Sequence, residues 1–224
     1  MSHPSTRVSR LAEKQNTSRD RLDELLDVTP LATIALIRDG HPVIFPIGCA
    51  RIDDELVIHG STGSPWLRQL AGGAQAAISV TALDGVLVAR SGFESSFQFR
   101  SAVLFGTFEV VPDADKLAYL ETLTDTFIPG RVAELRPSNR KELAATLVLR
   151  MAITPENWSL KIGDGWPEDP DEDVAAGAWA GIVPLTTVYG EPRRAPDCAD
   201  DIPVPPSVNA MTGELSNRRR PPTP

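Results

Sequence analysis

The sequence predicts a mainly β protein with short helices at its edges, an antiparallel barrel of the α+β class, and three observations carry that reading. Residues 31–60, "LATIALIRDGHPVIFPIGCARIDDELVIHG", hold three β-type runs separated by Asp39-Gly40 and Asp53-Asp54, pairs that mark hairpins and tight turns. Further runs follow at short intervals: "QAAISVTAL", "GVLVARSGF", "FQFRSAVLFGTFEVV" and "LVLRMAITPENWSLKIG". Helical periodicity is confined to brief stretches between them. Six or more strands in about 150 ordered residues leave exposed edges unless the sheet closes fully or partly into a barrel.

Each element has its own signal. Residues 1–20 are polar and predict a flexible N-terminus, whereas "DRLDELLDVTP" spaces Leu22, Leu25, Leu26 and Val28 as an amphipathic helix stopped before Pro30. After the three-strand meander, Ser64-Pro65 opens a short helix that runs to Ala71 and ends at Gly72-Gly73. Residues 113–125 place Leu117, Leu120, Leu123 and Thr124 on one helical face, and residues 141–147 read as another short helix. The segment "DGWPEDPDEDVAAGAWAGIVPL" is acidic, Gly/Pro-rich and irregular. From Gly190 proline dominates and the chain closes on the basic "NRRRPPTP", so residues 191–224 predict a disordered or surface-draped tail. One domain, residues 21–190, remains, without internal repeats.

The 224 residues carry a formal net charge of −8 and a pI near 4.9, which argues against a protein that grips phosphate backbones. The two cysteines, Cys49 and Cys198, lie far apart and do not form a secreted disulfide framework, which suits a reducing cytoplasm. The N-terminus lacks the apolar core of a signal peptide, and no apolar run reaches bilayer length. The expectation is a soluble cytoplasmic protein with no nucleic-acid or membrane partner. No metal-ligating set is assigned.

The stretch "LVIHGSTGSPWLRQL" gathers His59, three hydroxyls and Arg68 at one strand-to-helix elbow. Ser64 is placed to cap the helix, and Ser61, Thr62 and Gly63 form a loop facing its positive end, an arrangement that takes up phosphate or carboxylate. Arg68 near a helix N-terminus is mildly unfavourable unless an anion lies between them. The plainer alternative is that Ser64 only caps, Arg68 is a solvated cation, and His59 is a hydrogen-bonded structural residue.

Five segments in order, "DGHPVIFPIGCA", "HGSTGSPWLRQL", "FRSAVLFGTFEVV", "PGR" at Pro129–Arg131 and "WSLK" at Trp158–Lys161, resemble the flavin-binding split-barrel superfamily of pyridoxamine 5′-phosphate oxidase-like proteins, closest to its nitroimidazole-reductase-like branch. The resemblance spans about residues 25–190. It implies a six-stranded antiparallel Greek-key split barrel and a homodimer holding FMN at the subunit interface. It places the phosphate at Ser61, Thr62, Ser64 and Arg68, and lays Pro46, Ile47, Gly48 and Cys49 along the isoalloxazine ring. Arg100 and Lys161 match basic positions around the flavin, with a partner subunit as one source, and His59 matches a histidine facing flavin and substrate. Trp158 packs in the core, lies at the interface or covers the flavin. The sequence departs from the family at Glu94 and Ser95, where paired histidines are common, and at Phe99, where Tyr is usual. The basic residue that ordinarily follows Lys161 is also absent.

The implied activity is that of an FMN-dependent oxidoreductase, with hydride or electrons passing from a nicotinamide donor through the flavin to a small acceptor. His59 is the candidate catalytic residue. The alternatives on the same barrel are a non-catalytic flavin-binding or sensing protein, a user of deazaflavin F420, and a haem-binding or haem-degrading protein with His59 or His41 as axial ligand.

Overall fold

A computed structural model describes residues 5–212. Its first regular elements are β1 (Gln15–Asn16) and α1 (Arg19–Val28), followed by the meander β2 (Leu31–Arg38), β3 (His41–Ile52) and β4 (Glu55–Ser61). Then come α2 (Pro65–Ala71), β5 (Ala76–Val88), β6 (Ser96–Gly106), β7 (Glu109–Val110), α3 (Lys116–Phe127) and α4 (Arg140–Ala145). β8 (Thr146–Ala152), β9 (Trp158–Gly163), α5 (Asp171–Ala175), β10 (Gly181–Pro184) and α6 (Pro206–Asn209) complete the chain.

The predicted class stands, as an open antiparallel sheet of split-barrel form rather than a closed barrel. The strands follow the order β1-β9-β6-β5-β2-β3-β4-β8-β7, with β10 added to β5. The strand count among the described residues is ten rather than six: seven longer strands, with β1, β7 and β10 as short additions. Long β3 joins the two halves: its first part pairs with β2 (Leu31↔Gly48) and its last part with β4 (Cys49↔Ile58). The turn before β3 uses Asp39 and Gly40 at φ 52° and 78°, the left-handed pair that matches the twist of a hairpin.

The barrel interior is plugged by α1, whose Leu22, Leu25 and Leu26 are at most 2% exposed among Ile34, Ile58, Ile78 and Leu104. Burying each leucine is worth about 1.5–3 kcal/mol, which outweighs the modest helix propensity of an isolated ten-residue segment. Ser18 caps this helix, accepting the Arg21 amide hydrogen. A second, smaller layer packs α3 on the other face of β3, β4 and β8 through Ala50, Val57, Val111, Leu123 and Val148.

Three expectations change. The segment read as a flexible N-terminus joins the sheet, because Gln15 and Asn16 pair with Lys161 and Leu160 on an otherwise open edge of β9. Polar residues show no apolar alternation, so this pairing left no sequence signal. The runs "QAAISVTAL" and "GVLVARSGF" form one strand, β5, interrupted only by a bulge between Leu83 and Gly85. The acidic segment read as irregular contains β10, whose Val183 sits opposite Val86. Beyond it the chain is draped along the surface, and α6 is anchored where Ser207 Oγ and N donate to the Glu134 carboxylate at 2.5 and 2.9 Å. The basic "NRRRPPTP" end lies outside the described residues.

Candidate functional site

β4 divides its side chains between the two layers: Leu56 and Ile58 enter the barrel core, while Val57 faces the α3 layer. The same alternation turns His59 to the α3 side, where it borders a cavity of about 310 Å³ walled by Leu120, Leu123, Thr124, Phe127, Ile128, Ser138 and Thr146. His59 Nδ1 is buried and has no hydrogen-bond partner among the described residues. Burial lowers the pKa of the ring, because the charged imidazolium loses its hydration there. The site therefore holds a neutral imidazole beside a cavity of mixed lining, the form in which histidine binds a metal centre or accepts a hydrogen bond. His41 starts β3 at an exposed hairpin opposite Arg38 and is not an internal ligand.

At the elbow, Ser61 ends β4 and α2 begins at Pro65 as predicted, but the loop amides are not free. Thr62 N–H donates to Ala145 O at 2.9 Å, Gly63 N–H to Ser61 Oγ at 3.1 Å and Ser64 N–H to Ser61 O at 3.0 Å. The expected cradle of loop amides is thus occupied by the turn itself. Ser64 occupies the capping position with extended backbone, yet its hydroxyl accepts no helix amide. Thr62 Oγ1 also donates to Ala145 O. The side chains left to meet an anion here include the Ser64 hydroxyl and the exposed Arg68, which pairs with no carboxylate among the described residues. Trp66 fixes the helix against β3 by stacking on Phe45, ring centroids 4.8 Å apart.

Along β3 the structure also revises individual roles. Cys49 N–H donates to Pro30 O at 2.9 Å and its side chain is 1% exposed, so neither amide nor thiol is open to a ligand. Burial pushes the Cys49 thiol up to about 12. A Cβ at Gly48 would lie 3.3 Å from the Phe127 ring, so the ring that closes on this glycine is Phe127. Pro46 is exposed opposite Thr33, and Ile47 is half-buried opposite Ala32.

Arg100 and Lys161 do not meet the elbow within one chain, since β6 and β9 are separated from β4 by β5, β2 and β3. Arg100 is clamped by Asp84 through two hydrogen bonds of 2.9 and 2.7 Å, so its charge is already compensated. Lys161 Nζ donates to Arg10 O in the N-terminal segment. Trp158 packs against the barrel core. Sequence reading missed four residues of this cavity, Ser138 and Thr146 and, on the helix, Phe127 and Ile128. Phe127 and Ile128 lie just past the predicted end of the third helix, while Leu120, Leu123 and Thr124 lay on the face already identified.

The model for "Pyridoxamine 5'-phosphate oxidase" matches residues 18–158. A solved FAD- and haem-binding protein from Mycobacterium smegmatis is 71% identical, with 89% of this chain and 98% of that one covered and a TM-score of 0.87. A flavocytochrome from Azotobacter vinelandii is 31% identical over 93% of this chain and 97% of its own, with a TM-score of 0.85. A 5-nitroimidazole-resistance-like protein from Bacteroides thetaiotaomicron shares the fold at 11% identity, with 65% and 86% coverage and a TM-score of 0.55. No curated protein matches the sequence. With more than half of its length matched by the model, the chain belongs to the pyridoxamine 5′-phosphate oxidase family.

Proposed function

We propose that this chain is a redox flavoprotein that also carries haem, which His59 would ligate. The observation that carries the reading is the buried Nδ1 of His59, unpartnered among the described residues, beside a cavity of about 310 Å³. A neutral imidazole is the form that would ligate a haem iron, and the leucine, phenylalanine and isoleucine side chains beside it would cover apolar surface, with Thr124, Ser138 and Thr146 completing the wall. The contents named for the 71% identical protein, FAD and haem, support the same reading and favour FAD over FMN. Together such groups supply hydride acceptance and one-electron transfer, and the chain supplies position, shielding and ligand orientation.

Ser64 and Arg68 hold the flavin phosphate, with β3 from Pro46 to Gly48 beside the ring. The assembly is a homodimer with flavin at the interface, which lets the partner provide the strands that carry Arg100 and Lys161. Exposed Ile37 and Ile44, 59% and 67% accessible on one sheet face, suit such an interface. Electrons enter from a nicotinamide donor that docks transiently, since no dinucleotide-binding fingerprint exists in the sequence, and leave to a small acceptor. No helix among the described residues is long and apolar enough to cross a membrane. The proposed setting is the cytoplasm.

The visible spectrum of freshly purified protein tests this directly. An intense haem band beside flavin absorbance, with the haem band lost in His59→Ala and flavin retained, is the expected result. A protein that takes up neither FAD nor haem, or a His59→Ala variant with an unchanged haem band, overturns it. Chromatography of the released nucleotide decides between FAD and FMN.

A further inference from the structure

His59 Nδ1 has less than 1 Å² of accessible surface and no hydrogen-bond partner among the described residues. Water does not reach it, so Nε2 is the ring nitrogen left for a metal. A neutral imidazole bonded to a metal through Nε2 keeps its proton on Nδ1. Metal-bound histidines almost always donate that proton to a carboxylate, a carbonyl or water, which raises their basicity. Resting on the haem reading, we infer that His59 lacks this support and is a weakly donating, neutral ligand that favours ferrous over ferric iron. Such a ligand suits haem to storing single electrons from the flavin, whereas a strongly donating one favours breaking O–O bonds.

The isolation of Nδ1 comes from the elements packed around the ring. β8 sets Val148 directly opposite His59, and Val148 is fully buried. The carboxylate on the same face of β4 is Glu55, four residues and about 13 Å along the strand. It is already engaged, accepting from Tyr119 OH at 2.6 Å and pairing with Arg150 at 3.1 Å. The cavity wall holds no Asp or Glu among the described residues. Its Thr124 and Thr146 hydroxyls donate to the carbonyls of Leu120 and Glu142, each at 2.8 Å, and Ser138 is exposed.

Without an acceptor, Nδ1–H shares no charge with a base, so the ring gives less electron density to iron and stabilises the ferric state less. Burial beside Leu123 and Phe127 acts in the same direction, because the extra positive charge of ferric iron is poorly solvated there. One electron passed from reduced flavin makes ferric iron ferrous. No bond to His59 forms or breaks in that transfer, and no proton moves at its ring.

Resonance Raman spectroscopy of the ferrous holoprotein, after photolysis of its carbon monoxide complex, reads the iron–histidine bond. Its vibration is expected to match that of haem with 2-methylimidazole in an aprotic solvent and to lie below that of the same complex in water. Side chains directly opposed across a strand pair have Cβ atoms about 4.5–5.5 Å apart, so Val148→Thr sets a hydroxyl acceptor beside the imidazole. This variant should raise the vibration and, in potentiometric titration, disfavour the ferrous state about tenfold, equivalent to about 59 mV. Val148→Ala adds no acceptor and should leave the vibration in place. A wild-type vibration at the value found in water, or equal vibrations in Val148→Thr and Val148→Ala, overturns the inference while the haem reading stands. A protein that binds no haem, or haem fully retained in His59→Ala, overturns both.

Discussion

Gly60→Ala places a methyl group at the junction on which the elbow depends. An added Cβ would lie 2.5 Å from Leu67 Cδ1, about 1 Å inside ordinary carbon contact. Leu67 is 2% exposed, and its helix is further held by fully buried Leu70 and by the Trp66 ring stacked on Phe45 at 4.8 Å. The leucine therefore cannot rotate into open space, and α2 must shift away from β4. Overpacking of this kind costs about 1–3 kcal/mol. For a chain of this size each kcal/mol lowers Tm by about 2–4 °C, which gives a drop of roughly 2–12 °C by calorimetry at matched cofactor content. Leu67→Ala alone costs about 2–5 kcal/mol, but it opens the space that the new methyl needs. The double variant should then be more stable than the sum of the singles predicts, by about 1–3 kcal/mol. A Gly60→Ala protein melting within about 1 °C of wild type, or strict additivity in the double variant, would refute the close contact.

Other expectations follow from individual groups. Because burial lowers the His59 pKa, the unfolded chain binds a proton that the folded chain refuses. Stability from this group is complete above the ordinary imidazole value of about 6.5 and declines as pH falls below it. In cofactor-free protein, His59→Gln should flatten that part of the urea-denaturation profile, and an unaltered profile counts against it. Cys49, with its thiol raised to about 12, should resist a thiol reagent at pH 8 in the native state and react only on unfolding, so that labelling is slow at one of the two cysteines. Asn139→Ala removes a capping box in which Asn139 Oδ1 accepts from Lys141 and Glu142 amides and Glu142 accepts from Asn139 N–H. A loss of about 1 kcal/mol in denaturant unfolding is expected, and none if the helix end is already frayed. Ser207→Ala severs the tail's bonds from Oγ to Glu134, so hydrogen exchange should quicken around residues 205–210 and leave the barrel strands unchanged.

The sequence by itself determined the parts of this protein that rest on local rules. The Asp39-Gly40 and Asp53-Asp54 turns, the α1 leucines, the start of α2 at Pro65 and its stop at Gly72-Gly73 are all local chemistry, and each stands in the structure. Ordered short motifs carried the family as well, because a ligand-binding barrel keeps them in chain order. Only the tertiary structure decided which groups are free to act. The loop amides after Ser61 looked open but are tied to Ala145 and to Ser61, partners that are fixed by how β8 docks on β4. Arg100 read from the resemblance as a basic contact around the flavin, yet the β5 bulge hands it Asp84, sixteen residues earlier. His59 read as a candidate site residue from the resemblance, with a structural strand histidine as the plainer alternative, and it is α3, contributed from sixty residues further on, that walls its cavity and leaves Nδ1 without a partner among the described residues. Periodicity reports which face of a strand is buried. What covers that face, and which polar atoms it leaves unmatched, depends on contacts between distant segments that no local pattern encodes.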